Sequence, residues 1–185
     1  MQIHVENFYQ NAKEIYDIVS KLQYKRETFG HEIKDFYLVP EGIDAAFSEL
    51  VGKKIKLAST SGLFRKPIPF IHFENFTEKS FYVGIVALED TNFRTYRHKD
   101  LNTYDVFKIT DDVEKWIKEN CFDEQKWQLI SDITLMAGNL ILTKPWNWHS
   151  LTENKLVNVF YLEADDLLED KIHENLVTDL KENKD

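Results

Sequence analysis

Three side chains in this 185-residue sequence could together hold a metal ion: His72, Glu74 and His149. The first two fall in Ile71-His72-Phe73-Glu74, inside an aromatic and β-branched stretch that reads as a strand over Pro69 to Glu74. Successive strand side chains point to opposite faces, so the imidazole and the carboxylate share one face while Ile71 and Phe73 take the other. His149 ends the segment Pro145-Trp146-Asn147-Trp148-His149, just after a strand expected over Asn139 to Thr143. Two histidines and one carboxylate, with the opposite side left open, form the ligand set of non-haem Fe(II) sites. Each residue also has a plain structural alternative. A histidine after two tryptophans is commonly a packed, hydrogen-bonded side chain, and a single His-x-Glu is a weak signal. The order of the surrounding strands gives the group its weight.

The elements that must position these residues change character along the chain. Met1 to Val5 alternates like a short strand, and Ala12, Ile15, Tyr16, Ile18, Val19 and Leu22 give Asn7 to Leu22 helical spacing. A second helix is expected over Glu41 to Leu50, between Pro40 and Gly52. From Lys53 onward the period turns to two. Strands are expected at Lys54 to Leu57, Pro69 to Glu74, Phe81 to Leu88, Phe93 to Tyr96, Ile133 to Leu135, Asn139 to Thr143 and Leu156 to Leu162. The nearly continuous apolar run Phe81 to Leu88 reads as a strand buried on both faces. A helix over Asp111 to Glu119 interrupts the series. This pattern predicts a mainly β fold with flanking helices: a single domain with a helical N-terminal part over about 6–52, a jelly-roll core over about 53–162 and an acidic C-terminal helix over about 164–183.

Composition narrows the function classes. The formal charge is −9, from 32 acidic against 23 basic residues, which disfavours general nucleic-acid or anionic-membrane binding. The excess is uneven: from Ala164 onward eight acidic residues face three lysines, leaving the rest of the chain near balance. Leu167, Leu168, Ile172, Leu176 and Leu180 repeat at helical spacing there, a stripe that could pack on the core or join two copies as a homodimer. One cysteine, Cys121, allows no internal disulfide and suits a reducing, cytoplasmic setting. No apolar run approaches a membrane span. Asn75-Phe76-Thr77 matches a glycosylation acceptor, read here as chance. Gly-x-Ser-x-Gly, Gly-x-x-x-x-Gly-Lys-Ser/Thr and Gly-x-Gly-x-x-Gly are all absent, so serine hydrolysis and nucleotide binding lack their local devices.

Taken in order, these segments resemble the 2-oxoglutarate and Fe(II)-dependent oxygenase superfamily, in particular its small prolyl-hydroxylase-like members. His72-Phe73-Glu74 precedes the apolar strand Phe81 to Leu88, and Phe93-Arg94-Thr95-Tyr96-Arg97-His98-Lys99 follows. A glycine-led strand, Gly138 to Thr143, runs on to the distal histidine, and Lys155-Leu156-Val157-Asn158-Val159-Phe160-Tyr161 resembles the family's basic-led final strand. The resemblance covers roughly residues 1 to 162. It implies a double-stranded β-helix (a cupin-like jelly roll) holding iron through His72, Glu74 and His149. It also implies oxidative decarboxylation of 2-oxoglutarate to succinate, coupled to hydroxylation of a small-molecule or peptidyl substrate. Lys155 would then pair with the distal carboxylate of 2-oxoglutarate, with Arg94 or Arg97 as substitutes and Tyr82 and Tyr96 as hydrogen-bonding residues. The pattern departs from the family in three places. Glu74 stands where Asp is usual, Lys155 replaces the commoner Arg close behind His149, and Asp90-Thr91-Asn92 replaces a Gly-Gly-x-Thr turn.

Other readings of the same residues stay open at this level. His98-Lys99-Asp100 is also a His-x-Asp, but the polar Leu101 to Asp105 follows it where a strand is needed. Trp146 and Trp148 could pack the barrel mouth or meet a substrate. Lys53, Lys54, Lys56, Arg65 and Lys66 could approach an anionic substrate, but read more readily as a solvated strand face. Two alternative functions remain: a catalytically silent jelly-roll binding module, and a cupin-like metalloenzyme that does not use 2-oxoglutarate.

Overall fold

The apolar run of the sequence becomes a strand near the middle of a large antiparallel sheet. The computed structural model describes residues 2–27, 30–68, 70–74, 77, 79–100, 119–121, 123–152 and 154–164. In chain order its elements are β1 (Ile3–Val5), α1 (Ala12–Val19), β2 (Lys25–Glu27), β3 (Gly30–Tyr37), α2 (Ile43–Val51), β4 (Lys56–Leu57), β5 (Leu63–Pro67), β6 (Ser80–Ala87), β7 (Thr91–His98), β8 (Trp127–Leu135), β9 (Leu140–Thr143), β10 (His149–Leu151) and β11 (Val157–Glu163). The large sheet runs β1-β9-β6-β11-β5-β3-β2, with β4 also on β11, and a smaller sheet runs β10-β7-β8. The pairings are antiparallel.

The large sheet is buried on both faces because its central strands β6, β9 and β11 are apolar at most positions. Val83, Ile85 and Ala87 of β6 join Leu63, Phe93, Ile141, Val157 and Val159 in a core between the two sheets. Tyr82 and Val86, one step out of phase, join Ile15, Val19, Ile43, Phe47, Leu142 and Phe160 in a second core beneath the helices. Gly84 lets these layers close: a Cβ there would lie 3.2 Å from Leu142 and 3.3 Å from the Phe47 ring. Gly138, at φ +92°, makes the turn into β9 and accepts a hydrogen bond from Tyr9 N–H, tying the N-terminal segment to the strand that leads to His149.

Several expectations change in detail. The helices are shorter than the spacing predicts, Ala12–Val19 and Ile43–Val51, and the second stops at Gly52 in the left-handed conformation. The N-terminal part is not purely helical: β2 and β3 fall between the helices and extend the large sheet. Pro69 to Glu74 is not a regular strand. Its described residues make one bridge, His72 to His149, which suffices to aim the side chains. Residues 111–118 of the expected helix and 165–185 of the acidic segment lie outside the described residues, as does the homodimer stripe. Among the described residues, no helix is long and apolar enough to cross a membrane.

Candidate metal centre

Reciprocal backbone hydrogen bonds bring the two histidines together. His72 N–H donates to His149 C=O at 2.9 Å and His149 N–H donates to His72 C=O at 2.8 Å. Such a pair projects both side chains to the same side, and the ring centroids stand 4.6 Å apart. Glu74 is held two residues on by its N–H bond to Pro145 C=O, 2.8 Å. The segment before β10 thus acts as a partner for the otherwise irregular Ile71 to Glu74.

Both imidazoles are oriented the same way. His72 Nδ1 lies 3.0 Å from Phe70 C=O and His149 Nδ1 lies 2.8 Å from Asn147 C=O. A carbonyl only accepts, so each Nδ1 carries the hydrogen and each Nε2 presents its lone pair. Those Nε2 atoms converge on one oxygen, Glu74 Oε1, at 3.6 Å from His72 and 3.7 Å from His149. His149 Nε2 is buried and makes no hydrogen bond among the described residues. One donor atom from each of the three residues lies within 4.8 Å of the others, and all three residues are buried. Two neutral imidazole nitrogens fixed by backbone carbonyls, plus one carboxylate oxygen, are a donor set suited to a divalent transition metal.

Glu74 is 0% exposed, and both of its oxygens are held from behind. Arg65 Nη1 donates to Oε1 at 2.6 Å and the Tyr161 hydroxyl donates to Oε2 at 2.9 Å. Arg65 Nη2 also donates to Tyr161 at 2.8 Å, and its Nε donates to Glu32 at 2.9 Å. Burial alone pushes the Glu74 carboxyl up, but the guanidinium overrides it and holds the group well below the usual carboxylate range. Burial also pushes the Tyr161 phenol up, and the adjacent Glu74 charge adds to this, so it stays a donor.

For His72 burial dominates and lowers the imidazole below its ordinary value of 6.5. The unfolded chain therefore takes up this proton first as the solution is acidified. Above about pH 6.5 both states are neutral at this position and no stability is lost; below it stability falls until the folded-state value is reached. Thermal melts in chelator between about pH 8 and 5.5 should show a loss on acidification that is smaller in His72→Asn. A melting temperature that rises on acidification would contradict a His72 held neutral.

The other residues expected from the sequence are not gathered here. Lys155 turns to Glu89 Oε1 at 3.6 Å, with its side chain 40% exposed. Arg94 pairs with Asp132 at 3.0 Å, also exposed, and Arg97 is half-buried on β7 opposite Gln128. Tyr82 falls in the core beneath the helices, because inward positions on β6 alternate and belong to Val83 and Ile85. Tyr96 bonds Ser150 Oγ at 3.0 Å, beside His149 in sequence but not against the triad donors. His98 packs edge-on against Trp127 rather than joining the donors. Trp148 is 2% exposed and packs against Trp127 and Phe73, so it is wall rather than surface.

Arg65 and Tyr161 are the residues that sequence reasoning missed. Arg65 reads with Lys53, Lys54, Lys56 and Lys66 as part of a solvated strand face, yet it is 2% exposed inside the site. Tyr161 carries a faint signal: it continues the inward series Val157, Val159 and ends it in a hydroxyl.

No protein-family model matches the chain, and no curated protein matches it in sequence. Solved structures do match in fold. HygX from Streptomyces hygroscopicus, with nickel, 2-oxoglutarate and hygromycin B bound, has a TM-score of 0.58 at 9% identity, over 89% of this chain and 82% of that one. The same protein with nickel and 2-oxoglutarate bound gives 0.51 at 11%, over 89% and 83%. SnoN, a non-heme alpha ketoglutarate dependent epimerase from nogalamycin biosynthesis, gives 0.55 at 15%, over 88% and 78%. The chain therefore shares the cupin-like jelly-roll fold of these proteins.

Proposed function

We propose that the chain is an Fe(II)- and 2-oxoglutarate-dependent oxygenase with His72, Glu74 and His149 as its metal ligands. The observation that carries this reading is the convergence of two buried, backbone-oriented Nε2 atoms on a single Glu74 oxygen. The fold neighbours add support, since HygX was solved with a metal and 2-oxoglutarate together. When bound, iron and 2-oxoglutarate would supply oxidation of a substrate carbon by dioxygen, coupled to conversion of the 2-oxo acid to succinate and carbon dioxide.

The chain's own residues account for the surroundings. Phe70 and Asn147 carbonyls keep the Nδ1 protons in place, so the histidines meet a cation as neutral donors. Arg65 and Tyr161 keep Glu74 ionised and fix its rotation. Phe93 stacks on His149 at 5.2 Å and Phe70 lies 4.7 Å from His72, which keeps water from the flanks of both rings. Low dielectric around the donors strengthens their hold on a cation.

Anaerobic Fe(II) titration followed by visible absorption tests the reading. A charge-transfer band that needs both Fe(II) and 2-oxoglutarate, and succinate formation once air is admitted, is the expected result. Iron binding without the 2-oxoglutarate-dependent band would point instead to a metalloenzyme of another kind. No metal binding at all would leave a silent binding module.

A further inference from the structure

One charged side chain inside the site is not among the three donors. Arg65 donates to Glu32, to Glu74 Oε1 and to Tyr161, with the guanidinium buried. Glu74 Oε1 is also the oxygen that both imidazole Nε2 atoms face. A cation seated among the donors would therefore share its only anionic ligand with a guanidinium that already neutralises it. In a buried site the repulsion between two such cations is poorly screened. Glu32, half-buried at 17% side-chain exposure, pairs with the guanidinium through Nε at 2.9 Å and is not among the three donors.

We propose that Arg65 makes metal binding conditional on an anionic co-ligand. A divalent cation binds His72, Glu74 and His149 weakly alone, and tightly together with a small chelating carboxylate whose charge offsets the guanidinium. This rests on the metal-site reading given above. It deepens that reading by naming the residue that couples the two ligands. By reciprocity the carboxylate also binds weakly until the metal is present, so the site fills as a pair. The bond from Tyr161 to Glu74 Oε2 would hold the carboxylate in place without Arg65, so charge rather than geometry is what the guanidinium contributes.

The test uses Co(II), which does not react with air as iron does, titrated into the full chain with chloride or oxalate at equal ionic strength and read against free metal. Oxalate should tighten Co(II) binding by about tenfold or more. Glu32→Gln keeps an amide oxygen for Arg65 Nε but removes the compensating charge. It should weaken Co(II) binding alone and enlarge the oxalate effect. Arg65→Met should lose most of the oxalate effect; if it does not fold, Glu32→Gln decides. Equal Co(II) affinity with and without oxalate would overturn the coupling while leaving the metal site standing. An undiminished oxalate effect in folded Arg65→Met, or no change in Glu32→Gln, would overturn it too. A native chain that binds no Co(II) in either condition would overturn both this and the metal-site reading.

Discussion

Arg65→Met should destabilise the metal-free protein by about 3–5 kcal/mol at neutral pH, among the largest single-residue effects available in this fold. The reason is the pair it breaks. Glu74 is fully buried and Arg65 nearly so, joined at 2.6 Å, with Glu32 on the far side of the guanidinium. Removing the cation leaves a buried carboxylate that water cannot reach. The loss should depend on pH in a definite direction. In the native chain the Glu74 carboxyl lies well below its ordinary 4.5, so its contribution is present above that pH and is lost as acid protonates it. Without Arg65, burial alone pushes the carboxyl above 4.5, and the variant is penalised where the unfolded chain is ionised and the folded one resists. The gap between native and variant should thus be widest near neutrality and narrow below about pH 4.5. Chemical denaturation across pH measures it. Adding Glu74→Gln to Arg65→Met should recover part of the loss, because the unpaired charge is then gone. A pH-independent loss below about 1 kcal/mol would mean that the pair does not balance charge.

His149→Ala should weaken divalent-metal binding by more than about 100-fold, since even outer residues that only orient a metal ligand are worth 10–100-fold. The substitution also empties a fully buried position between Phe93 and His72, costing about 2–4 kcal/mol of stability. Metal-free melts must therefore accompany the titration. Calorimetric Co(II) or Zn(II) titration of folded variant, read beside Lys155→Ala and Arg94→Ala, separates the site from its surroundings. The latter two should bind metal within about threefold of the native chain, because their partners are Glu89 and Asp132 at the surface. Native-like affinity in His149→Ala would remove it from the ligand set.

The sequence by itself determined much of the fold. The run Phe81 to Leu88, short and rich in aromatic and β-branched residues, forms a strand buried on both faces, and Gly52 ends a helix because it accepts a left-handed backbone. It also picks out three side chains whose donor atoms the structure brings within 4.8 Å of one another. The two-residue spacing of His72 and Glu74 puts them on one side of an extended segment, and that holds even where the segment makes only a single bridge. What surrounds Glu74 was decided by tertiary structure alone. Arg65 meets Glu32, 33 positions away, and Tyr161, 96 positions away, across strands whose neighbours no local pattern names. The nearby lysines Lys53, Lys54, Lys56 and Lys66 give Arg65 the look of a solvated residue. Lys155 is a second case, since basic character at a given place in a chain says nothing about which side its ammonium turns to, and here it lies 3.6 Å from Glu89 Oε1. Periodicity is a local property and travels with the sequence. Charge pairing inside a barrel depends on which strands close against one another, and that is settled only when the sheets pack.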